Sequence, residues 1–165
     1  MSLVCAIDQG TSSSRVSVFS NGEVVAQAQQ KHCTTAQCPV QMMQEIWELL
    51  EEVALQLRAK EISVGEIEFV AIANQRETAI AWNRRTGTPI HKAISWKEQD
   101  KGQEFLASLQ GISECVYQKT GIPLSTTFSA LKWKHILAAG EFEAVALGTV
   151  DTWILFVSFL PILTV

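Results

Sequence analysis

LVCAIDQGTSSSRVSVFSNGEVVAQAQQ, residues 3–30, is the stretch from which the rest of the chain is read. Leu3–Ile7 is an unbroken apolar run with the look of a central strand, and it ends in Asp8-Gln9-Gly10-Thr11. From Ser14 to Ser20, Arg15, Ser17 and Phe19 alternate with Val16 and Val18, the period of two that belongs to a strand. Asn21-Gly22 follows, and the readiness of this pair for positive φ suits a tight type I′ turn. Glu23–Gln30 is then the return strand. The chain opens as a meander of three strands, with a glycine-containing turn between the first two.

Downstream the pattern changes. Ile46, Leu49, Leu50, Val53, Ala54 and Leu57 fall on one stripe of a helix spanning Met42–Lys60, which leaves Glu48, Glu51, Glu52 and Arg58 for solvent. Phe69–Ala73 is short and apolar, the pattern of a buried strand, and runs into Asn74-Gln75-Arg76-Glu77-Thr78. Ala79–Trp82 predicts another strand, Thr86-Gly87 a turn and Ala93–Trp96 a further strand end. Helices are expected over Glu98–Leu109 and Ser113–Lys119, closed by Gly111 and Gly121, and over Ser129–Ala139 with a serine cap. Ala144–Leu147 returns to strand before Gly148-Thr149-Val150-Asp151-Thr152-Trp153. Antiparallel strands followed by alternating helices and strands make an α/β fold with a mixed sheet. Internal repeats, low-complexity runs and linkers are absent from the sequence.

The 165 residues are 47% apolar and 18% charged, the balance of a globular domain. A net charge of −4 and the lack of any Lys/Arg-rich run argue against a nucleic-acid partner. The four cysteines, Cys5, Cys33, Cys38 and Cys115, form no C-x-x-C pair and have no histidine at zinc-finger spacing. The first ten residues lack the charged region and the apolar length of a secretory leader, so the expected setting is the reducing cytoplasm. Trp153–Val165 is apolar, but it is about 13 residues against the roughly 20 that span a bilayer, and Pro161 interrupts it. No membrane span is expected.

Four stretches carry chemistry. In Asp8–Arg15, glycine lets backbone N–H groups approach a ligand, the flanking hydroxyls can donate to phosphate oxygens, and a strand-end carboxylate suits a hydrated Mg²⁺. Arg15 adds charge-assisted contacts. Taken alone, the same residues read equally well as a polar turn. Arg76-Glu77 sets a fork of donors beside an acceptor-only group, which a polyol hydroxyl needs, although adjacent opposite charges are also common as surface ion pairs. Trp96 offers a flat apolar face to the C–H side of a sugar, or else a core side chain. Gly148–Trp153 reads first as a strand-to-helix junction, with Thr149 or Asp151 as the cap.

Asp8–Arg15, Asn74–Thr78, Pro89–Trp96 and Gly148–Trp153, in this order and close to this spacing, resemble the FGGY family of carbohydrate kinases, of the glycerol kinase type. The resemblance covers the chain to about Ile154 and implies a ribonuclease H-like fold of the actin and hexokinase kind. It implies residues 1–153 as a partial N-terminal domain, with 154–165 as a divergent apolar tail. By the same resemblance Asp8 would face the Mg²⁺–ATP phosphates indirectly through the metal. Gly10, Thr11, Ser12 and Ser13 would form the phosphate loop, and Arg15 would approach ATP. Arg76 and Glu77 would hydrogen-bond glycerol, and Trp96 would wall its carbons.

Three departures bear on that expectation. Cys38–Met43 replaces the family's polar Trp-Val-Glu-His-Asp-Pro stretch, Lys97-Glu98-Gln99-Asp100 follows Trp96 in place of Gln-Asp-Arg-Arg, and Thr127 stands where the family has a glycerol-binding tyrosine. Family members run to roughly three times this length, beyond the single-domain norm. Their second half carries the aspartate base and the adenine-holding domain, neither of which is in this sequence, so no catalytic residue is assigned. The expected reaction is phosphorylation of glycerol to glycerol 3-phosphate by ATP in the family, with a truncated chain inactive alone. The alternatives are a partner-binding module that associates through uncovered apolar surface, or a remnant of a kinase for another sugar.

Overall fold

The computed structural model describes residues 2–32 and 38–163, in two compact units, Met1–Gln75 and Arg76–Val165. Cys33 and the last two residues of the apolar C-terminal run lie outside the described residues.

In the first unit the expected meander forms: β1 (Leu3–Gln9), β2 (Ser13–Ser20) and β3 (Glu23–Lys31). Asn21 and Gly22 both have positive φ, 51° and 84°, as a type I′ turn requires. The helix α1 (Pro39–Ala59) then returns the chain to β4 (Ile67–Asn74), which lies parallel to β1 and gives the sheet order β3-β2-β1-β4. The crossover packs α1 on β2 and β3. Its Met42, Met43, Ile46, Leu49, Val53 and Leu57 are buried there with Leu3, Cys5, Ile7, Val16 and Val18. Each such aliphatic side chain stabilises the unit by roughly 1.5–3 kcal/mol. A capping box between Ser63 and Glu66 starts the single 3₁₀ turn that leads into β4.

The expectation of a buried β4 is corrected. Phe69 and Val70 are 62% and 63% exposed. The strand pairs only with β1 among the described residues, and α1 packs on the opposite half of the sheet. Apolar composition marked the strand, but no layer of the described residues covers it.

In the second unit, β5 (Ile80–Asn83) pairs antiparallel with β6 (Val145–Gly148). The helices are α2 (Gln103–Ser108), α3 (Ser113–Thr120), α4 (Ser129–Ala138) and α5 (Val150–Leu163). Ala79, Ala81, Ile94 and Ile136 form a core against which Ile90 and Trp133 pack. Trp82 meets the Trp153 ring edge-on and the Phe156 ring at a tilt, with centroids 5.4 Å away in each case.

Four local expectations change here. The helix expected over Glu98–Leu109 is only Gln103–Ser108, because Gly102 sits at φ 87°, outside helical geometry, and closes against the Leu131 backbone. Gly111 consequently lies within a 3₁₀ turn rather than ending that helix, whereas Gly121, at φ 71°, does cap α3. Ser129 is the first residue of α4, not its cap, and its hydroxyl donates to Glu77 instead. Helix α5 continues through Pro161, two residues before its end, where a missing N–H costs one hydrogen bond rather than the helix. No helix among the described residues is long and apolar enough to cross a membrane.

Candidate functional site

Each unit holds one cluster of the expected residues. In the first, alternation along the sheet sorts them by face. Leu3, Cys5, Ile7 and Gln9 share the buried face of β1, so Asp8 emerges on the other, and it is exposed. Asp8 pairs in register with Arg15, and Arg15 with Gln29. The Arg15 guanidinium donates to Gln29 Oε1 from Nε at 3.2 Å and from Nη2 at 2.9 Å, and Gln29 Nε2 donates to Ser13 Oγ at 3.2 Å. Asp8, Ser13 and Arg15 therefore stand together on the open face beside the β1–β2 turn.

That turn is tight: the Gly10 amide donates to the Ser13 carbonyl at 2.9 Å. A Cβ on Gly10 would lie 3.0 Å from that same oxygen, so a side chain would push the turn open. Sequence reasoning missed what anchors it from below. Gln9 is completely buried and accepts from Gln75 Nε2 at 3.0 Å, while the Gln75 amide donates to the Gln9 carbonyl at 2.7 Å. The pair ties the ends of β1 and β4 together. The signal was present, since the period of two that buries Leu3, Cys5 and Ile7 places Gln9 on the same face.

In the second unit Glu77 sits at φ 64°, a left-handed conformation that costs a non-glycine residue about 1 kcal/mol or more. Its carboxylate compensates: Oε2 accepts from both the amide and the hydroxyl of Ser129 at 3.2 Å, at the start of α4. Lys132, one turn further along α4 and fully buried, donates from Nζ to the carbonyls of Glu77, at 3.5 Å, and Thr127. Burial pulls its pKa down, and the Glu77 and Glu98 carboxylates act in the opposite direction. The lysine thus pins the 76–78 segment and the segment before α4 to each other.

A backbone bridge between Ala79 and Ile94, with both N–H···O distances at 2.9 Å, brings the second strand end alongside. Glu77 lies two residues before one partner and Trp96 two residues after the other. Trp96 is 38% exposed, with the Lys97 ammonium 5.6 Å from its ring centroid. Glu98 closes the turn behind it, accepting from the Ser95 amide at 2.8 Å. Arg76 is exposed. Next to Glu77 opens a cleft of about 550 Å³ lined by Ile112, Val116, Phe128, Leu131 and Trp133, with hydroxyls from Ser125, Ser129, Thr120 and Thr149.

Gly148-Thr149-Val150-Asp151 is a strand-to-helix junction, as its sequence suggests. Thr149 Oγ1 donates to the Asp151 carboxylate as α5 begins, and a Cβ on Gly148 would collide with the Trp82 ring at 2.8 Å. Among the described residues no group of three or more His, Cys, Asp or Glu is placed to hold a metal ion.

A mixed sheet with a glycine turn between its first two strands and a helix packed on it is the arrangement of the actin- and hexokinase-type ATPases, the fold of the glycerol and xylulose kinase structures on which the chain superposes. Residues 3–159 match the model of the FGGY family of carbohydrate kinases, N-terminal domain, and the chain belongs to that family. It is 38% identical over 170 residues to a glycerol kinase of Paracidovorax citrulli, covering 94% of this chain and 33% of the relative. A glycerol kinase of Rhodopirellula baltica is 35% identical over 164 residues, with 92% and 30% covered. The crystal structure of Plasmodium falciparum glycerol kinase with ADP superposes with a TM-score of 0.82 at 27% identity, over 94% of this chain and 34% of that one. A xylulose kinase from Rhodospirillum rubrum, at 19% identity and TM-score 0.76 over 94% and 34%, shares the fold. The chain spans about a third of the length of the curated relatives it matches.

Proposed function

We propose that this chain supplies the phosphate loop and the polyol-binding residues for ATP-dependent phosphorylation of glycerol to glycerol 3-phosphate. The observation that carries the reading is the Gly10 turn at the end of β1, with Asp8, Ser13 and Arg15 gathered on one face beside it. The names of the relatives supply the substrate class.

The donor set fits a nucleotide. Thr11, Ser12 and Ser13 offer backbone and hydroxyl donors to phosphate oxygens, in a turn that Gly10 closes with its own amide and that a Cβ there would distort. Mg²⁺ fits Asp8 only through its water shell, since it keeps several waters and needs few protein carboxylates when phosphates share it. ATP with Mg²⁺ would supply the transferable phosphoryl group. Arg15 would neutralise phosphate charge, Arg76 would donate to a polyol hydroxyl, Glu77 would accept from one, and Trp96 would cover its carbons.

Phosphoryl transfer depends on positioning and charge stabilisation from both sides of the phosphates and on a base for the attacking hydroxyl. The 165 residues supply one side and no such base, so by themselves they are expected not to turn over. In calorimetry the chain should take up glycerol and magnesium–ADP, with glycerol binding lost in Arg76→Ala. A coupled assay should detect no glycerol 3-phosphate. Turnover at a rate typical of kinases would defeat the two-sided argument, and unchanged glycerol binding by Arg76→Ala would defeat the polyol assignment. A second reading, association through uncovered apolar surface, is favoured by the exposed Phe69 and Val70 on β4. Thr127, in the segment before α4, keeps open a sugar other than glycerol.

A further inference from the structure

His32 lies one residue past the end of β3, and its contacts converge on the Gly10–Ser13 turn. Its backbone amide donates to the Ser12 carbonyl at 3.0 Å. On its ring, Nδ1 lies 3.3 Å from the Thr11 carbonyl, and Nε2 lies 2.9 Å from Ser14 Oγ and 3.5 Å from Glu45 Oε2. A carbonyl can only accept, so Nδ1 carries the proton. Ser14 is completely buried, and the His32 and Glu45 side chains are only 10% and 11% exposed. Glu45 is held in turn by Gln41, whose amide donates to its other oxygen at 3.2 Å. An acidic residue on the buried stripe of α1 otherwise has no packing reason to be there.

The consequence lies in the peptide groups. In a trans peptide the N–H points opposite to the C=O. Drawing the Thr11 and Ser12 carbonyls to His32 therefore turns the N–H groups of Ser12 and Ser13 away from it. Those N–H groups are the backbone donors that a phosphate oxygen would use in this turn. We propose that His32, its ring held by Ser14 and packed beside Glu45 of α1, is the positioning residue that sets the orientation of these amide donors for a nucleotide phosphate. This rests on the phosphate-loop reading of residues 10–13.

The experiment uses the full chain, ¹⁵N-labelled in backbone and histidine rings, with inorganic phosphate and then magnesium–ADP as probes. The Ser12 and Ser13 amides and the His32 ring nitrogens should shift together along one binding curve. In His32→Phe the Gly10 amide, held by the Ser13 carbonyl, should exchange with solvent about tenfold faster, and magnesium–ADP affinity should fall about tenfold, while amides in the middle of β1 and β2 stay protected. His32→Gln, which keeps a donor for the Thr11 carbonyl, should recover part of both. If His32→Phe stays within twofold on both measures, or if the loop amides respond to ligand and the ring does not, the proposal is overturned. If no loop amide of the unaltered chain responds to either probe, the phosphate-loop reading falls instead. The Gly10 exchange rate needs no ligand and still decides whether His32 sets the turn. Should His32→Phe fail to fold, Ser14→Ala removes one ring contact, and an unchanged Gly10 exchange rate there overturns the proposal.

Discussion

At Lys132 a fully buried ammonium donates to two backbone carbonyls, and burial holds its pKa below the ordinary 10.5. The folded value is then lower than the unfolded one. Between the two the unfolded chain binds more protons, so stability rises with pH across that interval and is lowest below it. Lys132→Met should flatten this rise, as read from urea midpoints taken at about pH 7 and about pH 10. An unchanged slope would mean that another group titrates there. Arg76 and Glu77 draw attention as adjacent opposite charges just after an apolar strand, although the same pattern is that of a surface ion pair. Lys132 does not, because a lysine between Leu131 and Trp133 reads as a solvent position. Only its spacing from Ser129 and Ile136, three and four residues, places it on the buried face of α4.

At the scale of elements, two glycines separate backbone demand from packing demand. Gly22 holds φ 84° in the hairpin between β2 and β3 with nothing within 4 Å of an added Cβ, so Gly22→Ala meets only the left-handed backbone penalty. That should cost about 1 kcal/mol. Gly148, where β6 hands over to α5, has no such φ, but its Cβ would lie 2.8 Å from the Trp82 ring and from Thr152. Gly148→Ala is expected to cost about 1–3 kcal/mol by overpacking and to disturb the tryptophan environment, visible as a shift in fluorescence. Equal losses measured by urea denaturation, with no change in fluorescence, would contradict this division. The hairpin was readable because Asn-Gly is a local signal. The α2 boundary was not, because Gly102 yields to a contact with Leu131, which lies far along the chain.

For the molecule as a whole, the order and type of the strands and of α1 to α4 followed from the sequence pattern, while the extent of the helix over Val150–Leu163 and the coverage of β4 did not. An apolar strand reads as buried whether or not a layer lies over it, since composition reports what a strand tolerates and not what packs on it. On β4 that difference has a measurable outcome. Phe69 and Val70 are more than half exposed on a strand that pairs on one edge only among the described residues, a combination that favours association. Sedimentation of the chain over a concentration series should therefore show a reversible increase in mass. Val70→Lys places a charge where the side chain is already in water, so the fold should lose less than about 1 kcal/mol while association weakens about tenfold or more. If Val70→Lys leaves the sedimentation profile unchanged with its urea midpoint intact, β4 is not the surface through which the chains meet, and the partner-binding reading loses the observation that favours it.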